Sequence, residues 1–289
     1  MTSITQQFKA FLYQVGYGES TQNMLPACVS EFIEHQQIKD ITCIEQEKVK
    51  KFYQYLHERP LKKRSGALSE MMISHYVYAL KTFFRWLEIT GQIDYNPISG
   101  MKFKRAKQNI REPLTIEEIK LLFETASTLK ERTILHIFYS CGLRRSEGDA
   151  LNISDIHFKE HLLYVREGKG TKRRVVPITE RVSREFEDYY LNERCGSTVK
   201  KVKDQEAFML NRTGNRMNGD QCNNLLKLII KKSGISKPGI TLHHLRHSIA
   251  THLLQSGMSM EYVRDFLGHT FLETTQIYAK PHAGQLKLL

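Results

Sequence analysis

Apolar residues recur three and four positions apart through most of the first hundred residues, and no alternating strand-like run interrupts them. That spacing turns one side of an α-helix toward a core. SITQQFKAFLYQ, STQNMLPACVSEFIEHQQ, EQEKVKKFYQYLHE and LSEMMISHYVYALKTFFRWLEITG each carry it. Ser20 and Ser69 are expected N-caps, and Gly91 is an expected stop after the last helix. Residues 1–100 are therefore expected to form a four-helix module.

The pattern then breaks. NPISGMKFKRAKQNIREPLT holds two prolines, a glycine and the basic residues Lys102, Lys104, Arg105, Lys107 and Arg111. It has little apolar content and is expected to be an extended linker, over residues 101–112, whose charge suits a phosphate backbone. From 113 to 289 helical periodicity returns, except in HLLYVREGKGTKRRVVPITE. There, two β-like runs flank a Gly-Lys-Gly sequence, which predicts a hairpin. The expected fold is mainly α, in two domains, the second carrying one small antiparallel sheet.

The formal charge is +12 in 289 residues. Residues 1–110 contain 15 basic against 10 acidic side chains, and residues 111–289 contain 28 against 21, so both parts are positive. Such a balance favours a polyanionic partner gripped by both, although a basic protein bound to acidic membranes has the same charge. No apolar run approaches the roughly eighteen residues of a spanning helix. The opening MTSITQQFKAFLYQ lacks the basic-then-apolar layout of a signal peptide. Five scattered cysteines (Cys28, Cys43, Cys141, Cys195, Cys222), none in CxxC, suit reduced thiols in a cytoplasm.

Six polar residues of the second domain make chemical sense together. Arg144 follows Gly142 in YSCGLRRSEGDAL at an expected helix start; Lys169 stands in GKGTKRR. His243 and Arg246, in LHHLRHS, are spaced to share a helical face; His269 follows Gly268, and Tyr278 lies in the next expected helix. Singly, each has an ordinary reading: surface arginine, solvated lysine, packing histidine, core tyrosine. As a set they suit phosphodiester cleavage. Tyrosine can be the nucleophile, although a phenol with a pKa of about 10 needs activation. Arginine forks can hold non-bridging oxygens, and lysine can protonate the leaving oxygen. No GxxxxGK[ST] loop, paired-carboxylate cluster or HExxH is present, so neither ATP nor a metal cofactor is expected.

This set resembles the tyrosine recombinases of the phage-integrase and Xer type, in order and spacing, over roughly residues 113–280. YSCGLRRSEGDAL resembles the family's first arginine box, GKGTKRRVVP its hairpin-lysine segment, HHLRH its HxxR box, and LGH and TTQIY its last two elements. The resemblance implies that Arg144, Lys169, His243, Arg246, His269 and Tyr278 are catalytic. It implies a 3′-phosphotyrosyl intermediate, a Holliday junction, and a homotetramer on two DNA duplexes or a heterotetramer with a sister recombinase. Lys172 also lies in the hairpin segment, but Lys169 stands in the GKG position. Lys102, Lys104, Arg105, Lys107, Lys172 and Arg173 are expected DNA contacts. Gly148 stands where the family more often has a bulky apolar residue, which is expected to loosen local packing. Glu147 is expected either to orient Arg144 or to cap its helix, and the tail ending Leu286, Leu288, Leu289 to dock on a neighbouring subunit. The implied subtype is the simple two-domain one: Xer-like resolvase, invertase or element integrase. The alternatives are a type IB topoisomerase-like relaxing enzyme and a DNA-binding regulator with a dead site.

Overall fold

Ser3 starts the first helix in the computed structural model, which describes residues 3–61, 66–104, 112–166, 173–194 and 201–268. The chain divides into two units, Met1–Ile110 and Arg111–Leu289, each with its own core.

In the first unit, α1 (Ile4–Gln14) opens with a reciprocal capping box between Ser3 and Gln6. It is followed by α2 (Glu19–His35), α3 (Gln46–Glu58) and α4 (Glu70–Ile89). Ser69 caps α4 as expected, but α2 starts two residues earlier than expected, with Gly18 at its N-cap position, so Ser20 lies inside its first turn. Aromatic rings fill the interior: Phe8 meets Phe83 edge-on at 5.3 Å, and Phe32 meets Phe52 at 5.2 Å. Glu31 ties three elements together, accepting from Arg59 at 2.7 Å and from the Tyr76 hydroxyl at 2.8 Å. The expected linker does not begin free of this unit. Met101 and Phe103 pack on its core, Phe103 edge-on to Tyr53 at 5.1 Å and beneath Lys81. Residues 101–104 are thus anchored by apolar side chains that the basic composition of the segment obscured.

The second unit begins with α5 (Ile116–Thr125) and α6 (Leu129–Leu135), opened by the capping boxes Thr115–Glu118 and Thr128–Glu131. The latter runs into a π-helical turn over His136–Ser140, and α7 (Arg145–Asp149) follows. The sheet has one strand more than the expected hairpin: β1 (Ile156–His157), β2 (Leu162–Val165) and β3 (Arg174–Pro177), antiparallel in that order. In register, Leu163 faces Val176 and Val165 faces Arg174, so these four share the inward side. Then come α8 (Glu180–Asp188), α9 (Gly219–Ser233), α10 (Leu242–Gln255) and α11 (Met260–Leu267). Glu185 on α8 grips Arg132 through two bonds of 2.7 Å and accepts from His136 at 2.9 Å, locking α6 to α8. Gly148 does not loosen its surroundings. A Cβ there would lie 2.6 Å from the Phe138 ring, which occupies the space a larger residue would take. The helix expected at 271–280 lies outside the described residues, and among those described no helix is long and apolar enough to cross a membrane.

Candidate active site

Helix α11 ends at Gly268, whose φ of +65° closes it in the left-handed conformation that glycine adopts without strain. The last carbonyls of a helix lack intrahelical partners and carry partial negative charge. Here three arginines from distant parts of the chain take them. Arg174 Nε donates to the Phe266 carbonyl at 2.9 Å, Arg246 Nη2 to Leu267 at 2.7 Å, and Arg144 Nη2 to Gly268 at 2.6 Å. Arg246 also donates to the Gly142 carbonyl, tying α10 to the turn before α7.

Glu147, on α7 and buried, sits among the same guanidiniums. Its Oε2 accepts from the Arg144 backbone N–H at 2.7 Å and its Oε1 from Arg144 Nη1 at 2.8 Å. Both functions weighed from the sequence, orienting Arg144 and capping the helix, are therefore performed at once. Arg174 grips the same carboxylate with both terminal nitrogens, at 2.9 and 2.8 Å, and Arg246 Nη1 lies 3.7 Å away. Burial raises the Glu147 carboxyl. The hydrogen bonds and charge of Arg174, then the Arg144 N–H and guanidinium, outweigh burial and hold it at about 2. Among the described residues, three cations here share one carboxylate. The Arg144 side chain is 29% exposed while Arg246 is 2% exposed, so Arg144 presents the open guanidinium.

Of the six expected catalytic residues, the structure brings Arg144 and Arg246 onto one helix end. His243 lies on α10 one turn before Arg246 but is exposed where Arg246 is buried. Lys169, His269 and Tyr278 lie outside the described residues, as do Arg105, Lys107 and Lys172. Lys102, Lys104 and Arg173 are exposed, and Lys104 pairs with Glu70 at 3.1 Å. His244 packs and caps: buried, its Nδ1 accepts from the Thr241 N–H at 3.0 Å. Arg174 was missed by sequence reasoning. Its signal was available in the strand's period of two, which puts it on the side of buried Val176.

Fold and site define a mainly helical protein in which three arginines gather on one helix end around a shared carboxylate. The phage integrase family model matches residues 112–284. Tyrosine recombinase XerC of Chlamydia trachomatis serovar L2 is 37% identical over 215 residues, covering 73% of this chain and 67% of that one. Tyrosine recombinase XerD of Listeria monocytogenes serotype 4b is 31% identical over 231 residues, covering 78% and 76%. In fold, the chain is similar to the Tn1549 transposon integrase in complex with a circular intermediate DNA, with a TM-score of 0.76 at 18% identity, covering 99% and 98%. The chain belongs to the phage integrase family and is a tyrosine site-specific recombinase.

Proposed function

We propose that Tyr278 attacks a scissile phosphate in duplex DNA, forming a 3′-phosphotyrosyl bond and releasing a 5′-hydroxyl. Arg144 and Arg246 stabilise the charge that develops on the non-bridging oxygens. Lys169 protonates the departing oxygen, and His243 and His269 assist proton movement and charge stabilisation. The single observation that supports this reading is the meeting of Arg144 and Arg246 at the end of α11. That helix end immediately precedes His269 in the chain. Because the ester stores the bond energy, a 5′-hydroxyl from another strand can reseal it, through a Holliday junction held by four subunits.

The first unit serves as a core-binding domain over residues 1–100 and the segment 113–289 as the catalytic domain. Lys102, Arg105, Lys107, Lys172 and Arg173 lie along the phosphate backbone, joined by Lys104 once it releases Glu70. The tail, residues 282–289, docks on a neighbouring subunit, and the enzyme works in the cytoplasm, where its substrate is. Tyr278→Phe tests the reading: the covalent adduct, seen as a gel-shifted protein–DNA band, should vanish while binding persists. An adduct surviving in Tyr278→Phe would overturn it. Since guanidinium and ammonium groups supply the needed charge and proton, cleavage by wild type should proceed in EDTA and without ATP.

A further inference from the structure

β3 carries one of the most heavily committed side chains in the second unit, and the reading above gives it no role. The Arg174 side chain is 7% exposed. Its fork is spent on Glu147 and its Nε on the Phe266 carbonyl. Those two acceptors belong to different parts of the site. Glu147 sets the backbone and guanidinium of Arg144, and Phe266 lies three residues before His269. Arg174 itself stands two residues after Lys172 and opposite Val165, so the segment bearing Lys169 is joined at both ends to paired strand. One guanidinium therefore fixes β3 against both the carboxylate that aims Arg144 and the helix end whose Leu267 and Gly268 carbonyls take the other two arginines. The fit leaves no slack at that end: a Cβ on Gly268 would lie 2.8 Å from Arg174 Nη1.

We infer that Arg174 is a positioning residue for cleavage, holding β3, which follows the segment containing the proton-donating Lys169 in the chain, in register with Arg144 and the end of α11. This inference rests on the proposed roles of Tyr278 and Lys169. Lysine cannot replace it, because an ammonium lacks the planar fork that takes both Glu147 oxygens and a third donor for the Phe266 carbonyl in the same plane. The group it positions can be identified by the leaving atom. In the native reaction the P–O5′ bond breaks and the oxygen takes a proton from Lys169. With sulfur at that bridging position the P–S bond breaks and a thiolate departs unprotonated, since alkyl thiols ionise with a pKa of about 8.5.

The test uses the full chain and a duplex selected from a random pool by covalent capture on wild type, synthesised with oxygen or sulfur at the scissile bridge. Arg174→Lys should cleave the oxygen duplex about 10²-fold more slowly than wild type, the scale set by misplacing a reacting group by about 1 Å. It should be slowed much less on the sulfur duplex, where only the aim of Arg144 through Glu147 is still disturbed, with affinity for DNA unchanged. Equal slowing on both duplexes, or no slowing on either, would overturn the inference. Arg174→Gln is the second variant and should show the same split. If circular dichroism shows that neither variant folds at the assay temperature, the residue is a folding element and the inference fails. Absence of any wild-type adduct on the sulfur duplex is a separate result, which would remove the proposed chemistry itself.

Discussion

Replacing Glu147 by Gln would leave the guanidiniums of Arg144, Arg174 and Arg246 grouped around a neutral amide. Removing one partner from a buried ion pair costs about 3–5 kcal/mol, because the remaining charges stay desolvated and uncompensated. Glu147→Gln should therefore unfold at markedly lower denaturant and cleave poorly, read by chemical denaturation and adduct formation. The same group gives a pH signature. Its folded pKa of about 2 lies below the unfolded value of about 4.3. Its stabilisation is thus complete above that unfolded value and lost as pH falls toward 2. Glu185, where the Arg132 and His136 partners likewise overcome burial, titrates in the same window at about 2. Acid unfolding of wild type should steepen there, and Glu147→Gln should lose part of that slope while Glu185 retains its share. At this scale the sequence offered Glu147 two functions, and geometry assigned both.

α11 has eight residues, and its C-terminal carbonyls meet three arginines drawn from the N-cap of α7, from β3 and from α10. Gly268→Ala forces a side chain into left-handed backbone and against Arg174, and should cost about 1–2 kcal/mol and slow cleavage. A melting curve and an adduct time course check both. Gly148→Leu overfills the space held by Phe138 and should destabilise by about 1–3 kcal/mol by the same melting curve. Helices in the described regions were legible because the 3.6-residue period survives in any sequence that buries one face. β1 was not, since two residues carry no alternation to read. The π-helical turn over His136–Ser140 was equally silent, because one widened turn leaves no repeat in the sequence.

Across the whole molecule, a charge of +12 spread over both units predicts binding dominated by phosphate contacts. Affinity for DNA, measured by fluorescence anisotropy, should fall about 10³-fold or more between 50 and 200 mM salt if some six phosphates are neutralised. A flat salt response would show that the excess charge faces elsewhere. By itself the sequence determined the helical character, the net charge and the set of residue types suited to phosphoryl chemistry, because period, charge and functional groups are local properties of a chain. Only the tertiary structure decided that Arg144, Arg174 and Arg246 share one carboxylate and one helix end. It also decided that Met101 and Phe103 belong to the first core and that Phe138 takes the room beside Gly148. Most of these are contacts between residues far apart in the chain, and the rest are close fits between bulky rings and small gaps. They are selected when whole cores close around buried charge, which no local pattern of residue types specifies.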